Sequence, residues 1–388
     1  MMSKLFELSR RLWIEAQLIA PSWLQRTVID PLHQTRRILR LLSRPYLKVY
    51  QWQGQSQSGP LTVAIGGWGD SKPFFKSILF AGNPTEKEIS RVPIWRLSTL
   101  ADLPVDLVII EADKHLVRSL PRQRALIVPP RVQFMLNVQG DWQTVRLRTH
   151  SSVRRHDFRM IRKYGYEYEV SHSDQDFEKF YSEMYLPTMT DKHKELTSLV
   201  PLPEAYLYFR HGVLLLVKRD GVWVAGGVCQ PQQGIFNFKL LGVKNADKQL
   251  IHEGAQAAVY YAGVHWAHQE GFEAINFEGC RSYVTGLFQY KRKWGASVSL
   301  PPHQYEQIWI KIQRLTPAVR QFLKDNPCIV SDEEEALHGL VITDDLDNVT
   351  PETEAEWHKQ YMTPGLSGIL IRSVTDLAST SEAALEKL

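Results

Sequence analysis

Residues 212–243, GVLLLVKRDGVWVAGGVCQPQQGIFNFKLLGV, restrict the fold more than any other stretch of the chain. Asp220-Gly221 is a strong two-residue hairpin signal, and the segment reads as three strands joined by tight turns. In IFNFKLLGV, Phe236, Phe238 and Leu240 alternate with Asn237, Lys239 and Leu241, which gives one apolar and one mixed face. A long Ala-rich helix, KQLIHEGAQAAVYYAGVHWAHQEG, follows and ends at Gly271. The strand FEAINFEG completes the unit, and directly beyond it stands GLFQYKRKWG, with three consecutive cations between Tyr290 and Trp294.

Chemistry also gathers ahead of this unit. In SSVRRHDFRMIRKYG, Ser151 or Ser152 is placed to cap a helix that Gly165 ends. Val153, Met160, Ile161 and Tyr164 make its buried stripe, while Arg155, Arg159 and Arg162 share another face. Five cations against one Asp within ten residues read either as a solvated face or as a site for an anionic substrate. A short strand, YEYEVS, and an amphipathic helix, SDQDFEKFYSEMYLPTMTDKHK, lead into the three strands.

The flanks differ in texture. LTVAIGG, VPIWRLS and VDLVIIEAD read as strands and SKPFFKSILFAG as a helix, an α/β alternation that favours parallel pairing. HGLVITDD, TPETEAEWHKQY and SGILIRSV repeat the pattern near the C-terminus. The expected organisation is therefore α/β (α+β): basic amphipathic helices over 1–52, a polar linker QGQSQSGP at 53–60, and an α/β region at 61–128. A central domain occupies 129–325, and an acidic α/β region at 326–388 either completes the 61–128 sheet or, like that region, packs separately on the central domain. A chain of 388 residues accommodates about two such domains.

Charge follows the same division. Residues 1–50 hold nine Lys or Arg against three Asp or Glu, and residues 325–388 hold three against fourteen. The strongly cationic middle favours anionic ligands. The basic amphipathic helices of the first fifty residues either pack on their own domain or lie peripherally on an anionic membrane. Cys229, Cys280 and Cys328 are far apart with no CxxC, which points to a reducing compartment without a disulfide frame or zinc site. No apolar run approaches membrane-spanning length and no signal-peptide pattern opens the chain, so a cytoplasmic location is expected. His265 and His268 are i, i+3 neighbours without a third ligand pattern, which argues against a metal centre at the expected site.

Taken in order, the elements resemble the GNAT acyltransferase fold, and within it the branch of Fem-type peptidoglycan aminoacyltransferases and their relatives in cell-surface polysaccharide synthesis. SSVRRHDFRMIRKYGYEYEV, LIHEGAQAAVYYAGVHWAHQEGFEAINFEG and GLFQYKRKWG carry the likeness, over about residues 130–300. The last is similar to the family's glycine-leucine-aromatic, lysine, aromatic-glycine ending. Two departures stand beside it. The Gln/Arg-x-x-Gly-x-Gly/Ala loop that cradles a coenzyme A pyrophosphate is replaced by VKNADKQLIHEGA, and Thr285 occupies a position where relatives often carry an acid.

The resemblance implies a donor acyl arm lying where two parallel central strands, IFNFKLLGV and EAINFEG, splay apart. Backbone N–H groups of Leu241, Gly242 and Val243 would hold its carbonyl, with Lys244 and Lys248 near a pyrophosphate. Glu278 would act as base or pair structurally with Arg281 or Lys291. Tyr283 would protonate the leaving group or simply pack. Lys291 would stabilise developing negative charge, with Arg292 also turned toward the splay and Arg281 counted among the anion-binding residues. The implied co-substrate is acyl-CoA or an aminoacyl-tRNA, with no tightly bound cofactor. The implied acceptor is an amino group of a small or lipid-linked amino sugar or cell-envelope precursor. No DNA partner is expected, and tRNA only as donor. The competing expectation is a non-catalytic module, a degenerate core that binds a nucleotide or glycan.

Overall fold

The computed structural model describes residues 2–192, 199–332 and 334–379. The expected helix end at 193–194 and the last nine residues of the acidic region lie outside them. The strands, in chain order, are β1 (Tyr46–Ser56), β2 (Gly59–Gly67), β3 (Thr85–Pro93), β4 (Leu107–Asp113), β5 (Ala125–Val128), β6 (Arg131–Asn137), β7 (Glu167–Ser171) and β8 (Val213–Arg219). They continue with β9 (Val222–Gln232), β10 (Ile235–Val243), β11 (Ala274–Arg281), β12 (Ser297–Ser299), β13 (Glu306–Ile312), β14 (Cys328–Ser331), β15 (Leu337–Thr343) and β16 (Gly368–Ser373). The chain divides into two compact units. The first comprises Met1–Leu32, Gln133–Glu278 and Lys291–Ser297, and the second His33–Val132, Gly279–Tyr290 and Val298–Leu388.

The first unit is built on the seven-stranded sheet ordered β12-β6-β11-β10-β9-β8-β7. As the hairpin signals require, β7 to β10 form an antiparallel meander. The helix Ala255–Gln269 then returns the chain so that β11 runs parallel to β10. Small residues let the layers approach. A Cβ on Gly242 would lie 2.4 Å from the Met184 carbonyl carbon and 2.5 Å from the Tyr185 nitrogen, so the π-helical turn Tyr181–Tyr185 sits directly on the end of β10. Phe177, Phe180, Met184, Leu214, Leu216, Val228 and Leu240 fill the core beneath it.

The second unit carries a six-stranded sheet, β3-β1-β2-β4-β13-β5, and a three-stranded sheet, β14-β15-β16. β4 is buried along its whole length because both faces are covered. Leu107 and Ile109 enter one apolar cluster, and Val108, Ile110 and Ala112 enter the other, as strand alternation demands.

Several expectations are corrected. The linker at 53–60 is the closed end of the β1-β2 hairpin, paired from Gln53↔Thr62 to Ser56↔Gly59, its polar residues continuing the ladder. VPIWRLS is only the end of β3, followed by a 3-10 segment at Ile94–Asp102 whose Leu97, Leu100 and Ala101 are buried. In the six-stranded sheet the registered parallel pair is β2 with β4, and the strand from late in the chain that joins it is β13, from within the expected central domain. The strands of 328–373 make their own sheet. Two helices expected to be continuous are broken. One parts at His156, between Ser151–Arg155 and Asp157–Lys163. The other parts at Gly254, whose φ is +96°, between Lys248–His252 and Ala255–Gln269. GLFQYKRKWG is not a loop but the helix Gly286–Lys293.

Candidate active site at the strand splay

β10 and β11 pair only from Ile235↔Ala274 to Asn237↔Asn276 and then diverge. A bulge marks the parting: against β9, Phe238 opposes Cys229 and Leu240 opposes Val228, so Lys239 is the extra residue. The gap is lined by polar groups in sequence. The Asn276 amide donates to Asn237 Oδ1 at 3.1 Å, and the Asn237 amide donates to the Gln230 carbonyl at 3.2 Å. Gln230 is fully buried and its Oε1 has no hydrogen-bond partner.

Glu278 stands where the strands have parted. Its N–H donates to Asn276 Oδ1 at 2.9 Å, its φ is +61°, and its carboxylate receives Lys239 Nζ at 2.5 Å. Lys291, 4% exposed on the helix Gly286–Lys293, donates from Nζ to the Glu278 carbonyl oxygen at 3.0 Å. Two cations thus reach one residue at the splay, one through the side chain and one through the backbone. Behind Lys239 lies the ring of Tyr208, 5.6 Å from Nζ. The Tyr208 hydroxyl donates to Glu204 at 2.8 Å, and Glu204 meets Arg10 at 2.8 Å. Burial first, then the neighbouring Glu204 carboxylate, pushes the Tyr208 phenol well above its ordinary range.

The anticipated residues separate into groups. Glu278 and Lys291 lie together at the splay. Trp294 anchors the chain just after Lys291 by stacking on Tyr260 with centroids 5.5 Å apart. Arg292 is half-buried in the same unit, its pKa lowered by that burial. Leu241, Gly242 and Val243 are paired to β9, and the Val243 N–H donates to Thr188 Oγ1 at 2.8 Å. That donor is therefore engaged, which removes it from the expected carbonyl cradle. Lys244 lies in a 3-10 turn and Lys248 opens a five-residue helix. The Asp247 carboxylate accepts from the N–H groups of Gln249 and Leu250 at 2.7 and 3.1 Å, so an acid fills the place expected for a pyrophosphate.

Tyr283 belongs to the second unit. It is buried against Phe74 and Phe75, with centroids 5.2 and 5.8 Å away, and desolvation raises its pKa far above the ordinary value. It packs as a core side chain of that unit. Arg281 is in the second unit too, donating from Nη1 to Asp70 Oδ1 at 2.9 Å and Ser71 Oγ at 3.0 Å and from Nη2 to the Asp70 carbonyl at 2.8 Å. A local carboxylate already answers its charge. Arg155, Arg159 and Arg162 are exposed, and Arg155 folds back onto Ser151 Oγ at 3.1 Å. His265 meets the Tyr168 hydroxyl at 2.7 Å, and His268 Nδ1 faces the Val138 carbonyl at 3.0 Å. Among the described residues no three His, Cys, Asp or Glu side chains gather as a metal would require. Sequence reasoning missed Lys239, Asn237, Asn276, Gln230 and Tyr208. The first two stood on the mixed face of IFNFKLLGV, the signal that marked them.

The seven-stranded sheet, with its meander, return helix and parted parallel pair, makes this a GNAT-like mixed α/β fold. No protein-family model and no curated protein matches the chain. Among solved structures it is similar to FemX, at 11% identity and a TM-score of 0.38, covering 78% of this chain and 95% of that one. It is also similar to L-PGS from Bacillus licheniformis, at 12% identity and a TM-score of 0.34, covering 70% and 87%. The C-terminal domain of a putative lysylphosphatidylglycerol synthetase from Agrobacterium fabrum matches at 12% identity and a TM-score of 0.34, covering 69% and 85%. Likenesses of this extent leave the fold class resting on strand order and pairing.

Proposed function

We propose that the protein is an N-acyltransferase that moves an acyl or aminoacyl group onto an amine of a cell-envelope or polysaccharide precursor. The observation that carries this reading is the parting of β10 and β11 after Asn237↔Asn276, with Lys239, Glu278 and Lys291 gathered at the opening. The acceptor nitrogen adds to the donor carbonyl carbon, the carbon–sulfur or carbon–oxygen bond to the carrier breaks, and the carrier leaves with a proton. Glu278 takes the proton from the amine, and the ammonium groups of Lys239 and Lys291 oppose the negative charge that develops on the carbonyl oxygen. Arg292 supplies further positive charge to the acceptor, and the exposed Arg155, Arg159 and Arg162 form an outer anion-binding face.

The donor is acyl-CoA or aminoacyl-tRNA. The reading that Lys244 and Lys248 meet a coenzyme A pyrophosphate is weakened by Asp247, which stands at the same helix start. That same carboxylate favours the second reading, a binding module without turnover. Incubating the full chain with acetyl-CoA or aminoacyl-tRNA and amino-sugar acceptors, with mass-spectrometric detection of product, separates the two. Lys291→Ala is expected to lower transfer by about 10²–10³-fold, the usual loss when a charge-stabilising donor is removed, with the far-UV spectrum unchanged. Undiminished transfer by that variant overturns its assigned role, and absence of transfer from every donor favours the binding module.

A cytoplasmic protein held peripherally at an anionic membrane through its first fifty residues completes the proposal. Among the described residues no helix is long and apolar enough to cross a membrane.

A further inference from the structure

The second unit contains a cavity of about 440 Å³, lined by His33, Arg36, Arg37, Arg40, Trp68 and Tyr305 among others. Its position follows from the sheet. β2 and β4 run parallel, Gly67 opposite Glu111, and end at the same edge. Trp68 follows the end of β2, Asp113 ends β4, and Glu306 opens β13 opposite Asp113. Ligands of open α/β sheets bind at the carboxyl ends of their strands, which is where this cavity lies. Its size falls within the range of small-molecule sites.

Two kinds of group face it. The helix Asp30–Ser43 presents His33, Arg37 and Arg40 at three- and four-residue spacing, with Arg36 beside them. Arg37 is fixed by a two-pronged contact with Asp113, at 2.5 and 2.7 Å, and its guanidinium lies 4.6 Å from the Tyr305 ring. Arg40 is held by Glu306 at 2.6 Å and by the Trp68 carbonyl at 3.3 Å. The second kind is planar. His33 and His303 stack with centroids 4.2 Å apart and planes within 8°, and Tyr305 and Trp68 extend the wall of rings. Asp113 and Glu306 hold two of the three guanidiniums that line the wall, so those two are fixed in place by carboxylates. The partly exposed Glu306 carboxylate is the type of acceptor that sugar hydroxyls seek.

From this combination we infer that the cavity at the carboxyl ends of β2 and β4 binds a nucleoside phosphate, its base against the ring wall, its ribose toward Glu306 and its phosphate on the arginines of Asp30–Ser43. Guanidiniums held in fixed orientation suit a phosphate geometrically as well as by charge. Flat rings add favourable stacking for a base of any identity. The inference stands apart from the transfer reaction, since every group it uses belongs to the second unit.

Titration calorimetry on the full chain at fixed ionic strength tests it, with AMP, UMP, adenosine, ribose 5-phosphate and inorganic phosphate as probes. AMP or UMP is expected to bind saturably, and adenosine, ribose 5-phosphate and inorganic phosphate at least tenfold more weakly. Arg40→Gln and Trp68→Ala are each expected to weaken the nucleotide at least tenfold, while Lys291→Ala leaves it unchanged. Arg40 is chosen over Arg37 because removing Arg37 strands the buried Asp113 carboxylate and endangers folding. Trp68→Phe, which retains a ring, is expected to recover most of the affinity. No saturable binding of either nucleotide at millimolar concentration overturns the inference. So does equal binding of ribose 5-phosphate, or nucleotide binding undiminished in Arg40→Gln and Trp68→Ala.

Discussion

Glu278 adopts a left-handed backbone conformation, φ +61°, that costs a non-glycine residue about 1–2 kcal/mol. The strained residue is also the one that Lys239 and Lys291 both reach, and strain of this kind tends to collect at working sites. In the second unit Glu111 is buried beside the loop before the helix Ser71–Leu79, accepting from the Ser71 N–H at 3.2 Å. Gly69 approaches so closely that a Cβ there would fall 1.9 Å from Glu111 Oε1. Desolvation raises the Glu111 pKa above its ordinary 4.5. The sign follows from linkage: below 4.5 both folded and unfolded states carry the proton, and as pH rises the unfolded chain releases it first. The contribution of Glu111 to stability therefore falls as pH climbs from 4.5 through its folded pKa. Glu111→Gln is expected to be the more stable protein at pH 7–8 and to converge on wild type near pH 4, measured by denaturant unfolding across that range.

At the scale of elements, the meander and its return helix were legible because alternation and the Asp220-Gly221 turn are local signals. Burial of Trp294 was foreseeable from aromatic spacing. The helix Gly286–Lys293 was not, because glycines at both ends and three adjacent cations imitate a loop. The break at Gly254 and the bulge at Lys239 were equally hidden, since each is decided by what the strand or helix packs against rather than by its own sequence. Tyr283 and Arg281 looked like site residues because they follow Glu278 closely in sequence. Three and five positions suffice to carry a chain into another core, where Phe74 and Asp70 claim them. The close contact between the end of β10 and the turn Tyr181–Tyr185 is open to a direct test. Gly242→Ala is expected to lose about 1–3 kcal/mol, because the neighbours are backbone atoms that cannot rotate aside. Thermal unfolding gives the measurement, and an unchanged midpoint would mean that the turn readily lifts from the strand.

For the whole molecule, the first fifty residues divide between the two units. In the first unit, Arg10 pairs with Glu204, and the Gln17 carbonyl accepts from Gln232 at 2.9 Å. In the second, Arg37 and Arg40 line the cavity. Packing on their own unit thus accounts for part of the basic helices. It does not cover Leu12, Ile19 and Trp23 of the first unit, the last of them 65% exposed. Arg11 and Arg26 are exposed on the same stretch. Apolar tips among cations suit an anionic bilayer surface. The full chain is expected to co-sediment with phosphatidylglycerol vesicles, and Leu12→Ser with Trp23→Ser to reduce the bound fraction severalfold. Equal sedimentation by this variant and wild type would remove the membrane from the account. Point substitutions suit this test better than truncation, because cutting away the first fifty residues would take the start of β1 and one wall of the cavity.

The bulge at Lys239 has a consequence for engineering this chain. An odd residue on one strand resets which side chains look up and which look down from that point onward. Excising Lys239 would thus do more than delete a charge. It would join Phe238 directly to Leu240, which already oppose the consecutive β9 residues Cys229 and Val228, so the ladder would close into regular alternation and the irregularity at which β10 leaves β11 would be lost.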